Sequence, residues 1–174
     1  MNKCADVAAE HGVLNLADYD HPSALVYGIG NVGRQDDGLG WAFIDWLEHA
    51  ALCPQAELLR HYQLHLEDAD LISHKQRVLF VDATKDSQVD TFRIERVTPR
   101  MDFSFTSHAI SVASILATCE QCFARTPDVM LLTIRGYEWE LQEGLTPAAK
   151  NNLDATRNHL ISISSLTEPI RRYQ

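Results

Sequence analysis

The 174 residues, 45% of them apolar, are enough for one domain with a substantial core, and no stretch approaches the roughly 20 apolar residues needed to cross a bilayer. Fifteen basic against 24 acidic side chains give a formal charge of -9, which argues against nucleic acid or an anionic membrane surface as the main partner. The amino terminus also lacks the basic start and apolar stretch of a secretory signal, so the chain is expected in the cytoplasm.

Residues 1–22 precede the first strong strand signal and read as an amino-terminal extension, helical or irregular; residues 23–174 read as a single domain. Ser23 to Tyr27 predicts a buried strand. It runs into Gly28-Ile29-Gly30-Asn31-Val32-Gly33, which satisfies the dinucleotide fingerprint Gly-x-Gly-x-x-Gly. The residues that follow argue against a nucleotide. Asp36 and Asp37 would repel a pyrophosphate, and Gly38 and Gly40 would weaken a helix begun as early as Val32. A helix starting at the aspartates fits better, because Leu39, Phe43, Trp46, Leu47 and Ala50 then repeat at helical spacing and a carboxylate can cap the free amides.

Cys53-Pro54 closes that helix. A second strand is expected within Ala56 to Leu64, and a short helix within Glu67 to His74. Arg77 to Asp82 reads as a buried strand with an acid at its exit, and Thr91 to Val97 as a more exposed one. Pro99 to Ser107 reads as loop, followed by His108 and a helix from Ile110 to Phe123. Within it Cys119-Glu120-Gln121-Cys122 has the Cys-x-x-Cys form, but both cysteines share an apolar helical face and are expected simply to pack. Val129 to Ile134 is the last buried strand. After the turn Gly136 to Gly144, Thr146 and Pro147 suit the cap and first position of a final helix reaching about Leu160 or beyond.

Strands alternating with helices predict a three-layer α/β/α sandwich with a mainly parallel, twisted central sheet. In such sheets ligands bind beyond the carboxyl ends of the strands, where Asp37, Asp82 and the loop carrying His108 can converge. Two carboxylates and one imidazole suit a divalent transition metal such as zinc or nickel, with positions left for substrate or water. The chain has no His-Glu-x-x-His helix, Gly-x-Ser-x-Gly elbow or lysine-bearing phosphate loop.

In ordered blocks from about Ala24 to His159, the chain resembles the maturation endopeptidases of nickel-iron hydrogenases. Gly28-Ile29-Gly30-Asn31 with Asp36-Asp37-Gly38-Leu39-Gly40 is similar to the family's opening signature. Val81-Asp82-Ala83 is similar to its second acidic block, Ser107-His108 to its histidine loop, and Gly144-Leu145-Thr146-Pro147 to its late turn. The resemblance implies an endopeptidase that removes a short carboxyl-terminal peptide from the hydrogenase large-subunit precursor once nickel is inserted. It implies that Asp37, Asp82 and His108 are both the metal-contacting and the catalytic set. The metal would be the precursor's own nickel, so no permanent cofactor is expected. Nickel polarising the carbonyl or a water, and a carboxylate acting as base, are both open; no Ser or Cys stands in a nucleophile motif. Asn31, Asp36 and Thr84 are candidate orienting groups.

One block departs from the family. Where many relatives carry Asp-Gly-Gly-Thr, this chain has Arg60-His61-Tyr62-Gln63-Leu64-His65-Leu66-Glu67, a segment expected to help select the precursor. It looks more like the branch serving cytoplasmic, NAD-linked hydrogenases. Taken singly, Asp37 reads as a helix cap, Asp82 as a turn-closing residue and His108 as a capping or exposed histidine; the ordered set favours function. His61, His65 and His74 read as surface histidines. The alternatives are a catalytically silent precursor-binding chaperone and a dinucleotide-binding oxidoreductase. The latter needs an acid closing the second strand, where Leu58-Leu59-Arg60 offers a base.

Overall fold

Alternate residues of the first strand, β1 (Ala24–Ile29), enter two different apolar layers, and this determines the architecture. Ala24 and Val26 join a cluster with Phe43, Ile44 and Leu47 of α1 (Leu39–His49) and Ala149, Leu153 and Leu160 of α4 (Pro147–Thr167). Leu25, Tyr27 and Ile29 face Ala69 and Ile72 of α2 (Asp68–Ser73) and Val112, Ile115, Leu116 and Cys119 of α3 (Val112–Phe123). In this computed structural model, which describes residues 12–101 and 110–167 and side chains through residue 164, the protein is therefore the expected three-layer α/β/α sandwich.

The sheet has the order β2-β1-β3-β5-β4, with β2 (Glu57–His61), β3 (Arg77–Thr84) and β5 (Asp128–Arg135) parallel to β1. Only β4 (Phe92–Arg96) runs antiparallel, on the edge beside β5. After β1 the chain crosses by α1 to one side, and after β2 it returns by α2 on the opposite face to place β3 on the other side. The winding direction thus reverses between β1 and β3, and the crevice beyond their carboxyl ends is the topological switch point.

Several boundaries differ from the sequence reading for identifiable reasons. A 3-10 turn, Gln35–Gly38, precedes α1, so the helix proper starts at Leu39 rather than at the aspartates. β3 continues two residues past Asp82 because Ala83 and Thr84 keep pairing with Ile134 and Arg135. Residues 12–22 contribute to the core. Asn15 caps a 3-10 turn, Leu16–Tyr19, that buries Leu16 and Tyr19, and Leu14 joins the same layer as α1 and α4. Cys119 packs as expected, but Cys122 is exposed, and neither is in a disulfide. No described helix is long and apolar enough to cross a membrane.

Candidate functional site

The β1–α1 connection is built by close approach of backbones. A Cβ at Gly28 would lie 2.5 Å from the Gly40 carbonyl oxygen, and one at Gly40 would lie 2.3 and 2.6 Å from the carbonyl oxygens of Ile29 and Val81. These two glycines let the first turn of α1 sit directly on the ends of β1 and β3. At Gly30 the backbone has φ +131, and a Cβ would stand 1.8 Å from the Asp37 carbonyl oxygen. The fingerprint glycines therefore fit protein against protein.

The amides of this loop are also occupied. Gly30 N–H donates to His61 O, Asn31 N–H to Asp37 Oδ2 at 3.0 Å, Gly33 N–H to Asn31 Oδ1 at 2.9 Å, and Arg34 N–H to Asn31 O. A pyrophosphate would find these donors already spent. Nor does Asp37 cap α1: the N-cap is Gly38, without a side-chain bond, and the Asp37 carboxylate turns back to Asn31. The simplest structural explanation for Asp37 therefore falls away.

Its neighbour Asp36 is wholly buried and has a different environment. Its Oδ2 accepts from the amides of Tyr137 (2.8 Å) and Glu138 (3.1 Å) and from Thr146 Oγ1 (2.8 Å), and its Oδ1 accepts from the Thr146 amide (2.7 Å). Thr146 Oγ1 in turn accepts from Ala149 N–H, the cap expected from Thr146-Pro147. Gln35 adds Nε2 to Glu138 Oε2 and accepts the Glu140 amide at Oε1, while backbone bonds join Gln35 to Gln142 and Asp36 to Glu138. The β1–α1 and β5–α4 loops are thus fastened along their length. Sequence reasoning offered Asp36 only as a candidate orienting group; its partners lie about a hundred positions away and leave no local signal.

Asp82 lies half-buried near the end of β3, and Ala83 N–H donates to its Oδ1 at 2.8 Å. Burial pushes its carboxyl up to about 7 from 3.8; the Ala83 amide opposes this and the negative charge of Asp37 adds to it. Asp37 therefore lies near enough to Asp82, across the β1/β3 crevice, for its charge to act there. Neither acid, nor Asp36, forms an ion pair among the described residues. Each of Asp37 and Asp82 uses one oxygen on a backbone amide, and among the described residues the other oxygen of each accepts no hydrogen bond.

His108 lies outside the described residues, whereas α3 is capped by Ser111. Among the described residues no three His, Cys, Asp or Glu side chains gather into a metal site, and His61, His65 and His74 are exposed. Asn31 shapes its own loop, and Thr84 Oγ1 accepts from Asp86 N–H in the turn after β3. Sequence reasoning missed a brace under residues 60–67. Asp68, at the start of α2, accepts from Tyr27 Oη at 3.2 Å and from the His65 amide at 2.7 Å. It fixes the bend on which Tyr62 and Leu66 stand exposed, with the Tyr62 ring tilted against Trp41. Its partners Tyr27 and His65 are 41 and 3 positions away, and only the nearer could have been read locally.

No family model matches the chain, and no curated protein matches it in sequence. Solved structures do match in fold. The nickel-iron hydrogenase maturation protease HycI from Thermococcus kodakarensis superposes with a TM-score of 0.65 at 18% identity, covering 83% of this chain and 93% of that one. The hydrogenase maturating endopeptidase HybD from E. coli gives 0.61 at 20% identity, over 82% of this chain and 90% of its own. A hydrogenase 2 maturation peptidase from a Thaumarchaeota archaeon gives 0.59 at 18%, over 83% and 97%. The chain has the fold of these proteins over nearly their whole length.

Proposed function

We propose that the protein is a hydrogenase maturation endopeptidase, which removes a short carboxyl-terminal peptide from the nickel-loaded large-subunit precursor of a nickel-iron hydrogenase. One observation carries the reading. On a fold shared with hydrogenase maturation proteases, Asp37 and Asp82 meet at the β1/β3 switch point without a counter-ion among the described residues. Burial, with the charge of Asp37 adding to it, disfavours the ionised form of Asp82, and a dication beside it supplies the charge that the fold withholds. Asp37, Asp82 and His108 are the side chains we assign to the precursor's nickel, with no permanent cofactor of the protease itself.

Hydrolysis consumes one water. Its oxygen adds to the scissile carbonyl, its proton passes to a carboxylate, and that proton goes to the departing amine as the carbon–nitrogen bond breaks. Asp37 and Asp82 are the groups we assign to this traffic, each oriented by a backbone amide. The exposed Tyr62 and Leu66, on a braced bend, support a role for residues 60–67 in choosing the precursor, in our reading one of the NAD-linked, cytoplasmic kind. A nicotinamide-binding function is disfavoured by the occupied loop amides and by Arg60, which is committed to Asp45 and Glu48 of α1.

The test is to mix the purified protein with nickel-loaded and nickel-free precursor and weigh the products. Loss of a carboxyl-terminal peptide from the loaded form alone is the expected result. Equal cleavage of both forms would refute nickel inspection, and binding without cleavage would favour a chaperone.

A further inference from the structure

Asp36 and Asp37 are adjacent acids with separate assignments. Asp36 is fully buried, has no cationic partner among the described residues, and accepts four hydrogen bonds, every one from the β5–α4 loop or its helix cap. A fold seeking only cohesion between two loops would gain it more simply from apolar contact, because a buried carboxyl group must find hydrogen-bond partners for both oxygens. The donors converge on a single point, and that point is one peptide unit from Asp37. Gly136 presses on the same side chain, since a Cβ there would lie 2.8 Å from Asp36 Cβ. On the far side, Asp37 meets the Asn31 amide through Oδ2 and the Gly30 backbone through its carbonyl.

We propose that Asp36 is a positioning residue: by locking the β5–α4 loop to the 3-10 turn it sets the direction of the Asp37 carboxylate, and it acts on the reaction only through Asp37. The inference rests on the endopeptidase reading for its catalytic half and on geometry alone for its positional half. The β5–α4 loop also carries the exposed Tyr137 and Leu141, so contacts made with that loop are transmitted to Asp37 through Asp36.

The test compares Asp36→Asn, Thr146→Val and Thr146→Ser with the unaltered chain. Asn keeps the side-chain shape but presents an amide nitrogen where an oxygen accepted; Val removes one of the four bonds together with the α4 cap; Ser keeps the hydroxyl and both bonds. Amide hydrogen exchange at Asn31, whose N–H meets Asp37, is read against Leu79 in the core of β3. In Asp36→Asn the Asn31-to-Leu79 ratio of exchange rates should rise at least tenfold, in Thr146→Val by less, and in Thr146→Ser it should stay near the original. With nickel-loaded precursor, well below the melting temperature, kcat of Asp36→Asn should fall at least tenfold while KM changes less than threefold.

A merely structural Asp36 would speed exchange at Asn31 and Leu79 together and leave kcat intact; either result overturns the proposal. If Asp36→Asn does not fold, Thr146→Val answers the same two questions on a smaller scale. If the unaltered chain cleaves no precursor, the exchange ratio still decides the positional claim, and only the endopeptidase reading falls.

Discussion

The acids at the amino ends of the strands and those at the switch point are held differently. At the amino ends of the strands, carboxylates are neutralised by neighbouring cations: Arg77 lies 3.6 Å from both Asp18 and Asp128, Arg96 also binds Asp128, and Lys75 holds Glu57 at 2.6 Å. At the switch point, Asp36, Asp37 and Asp82 are met by backbone amides and one hydroxyl, and by no cation among the described residues. The difference distinguishes two uses of the same side chain. An acid already paired has little to offer an incoming ligand, whereas an acid held by neutral donors is fixed in place with no cation to displace.

The strongest way to break that comparison is Asp82→Asn. Processing of the loaded precursor should fall at least a hundredfold, roughly 3 kcal/mol of transition-state stabilisation, as it should for Asp37→Asn. Stability should move the other way. Burial raises the folded Asp82 value from 3.8 to about 7, so below pH 3.8 both states carry the proton and the group costs nothing. Between those values the unfolded chain ionises first, and stability is lost as pH rises. Above pH 7 the Asn variant, free of this penalty, should be more stable by on the order of 2 kcal/mol, with the two proteins converging near pH 4. Melting temperatures across pH 4 to 8 check this; an Asn variant that melts lower at pH 8 and still cleaves would put Asp82 in the structural class.

The comparison also depends on how closely α1 sits on the strands. Gly40→Ala places a Cβ 2.3 Å from Ile29 O and 2.6 Å from Val81 O, so helix and strands must separate. The expected cost is about 3 kcal/mol, with a large loss of processing because Asp37 and Asp82 ride on the parts that move. Denaturant unfolding measures the first effect. A variant with unchanged stability would mean that the approach of α1 to β3 is looser than these distances.

Much of this was legible from local chemistry. Glycines around acids marked a tight turn beyond a buried strand, Thr146-Pro147 marked the start of α4, and alternating strands and helices gave the layers. What stayed hidden depends on distant partners. Asp36 and Asp37 are identical letters side by side, and only a loop a hundred positions later distinguishes the acid bound to that loop from the one that turns back to Asn31. Asp82 read as a strand exit, yet β3 continues because β5 offers two more pairing positions. Leu14, Leu16 and Tyr19 reach the core through a single 3-10 turn, too short to set up a periodic pattern. His108, the third member read from sequence, lies outside the described residues.

At the amino end the expected effects are smaller and fall on stability alone. Asp128→Asn removes the shared partner of Arg77 and Arg96; with both arginines partly solvated, the cost should be less than about 1 kcal/mol, shrinking in high salt, with kcat unchanged. Loss of processing without loss of stability in this variant would erase the distinction between the two ends.

Tyr19 offers the finest probe of the same end. Its ring is buried, its hydroxyl has no hydrogen-bond partner among the described residues, and burial together with the charge of Asp128 holds the phenol well above its ordinary range. An unpartnered buried hydroxyl has lost its water without replacement, so removing it relieves a desolvation cost while the ring keeps its apolar contacts. Tyr19→Phe should therefore leave stability within about 0.5 kcal/mol of the original or raise it, with processing unaffected. A loss above about 1 kcal/mol in denaturant unfolding would mean that the hydroxyl finds a donor or acceptor beyond the described residues. The amino end would then match its polar groups throughout, sharpening the contrast with acids left unmatched at the switch point.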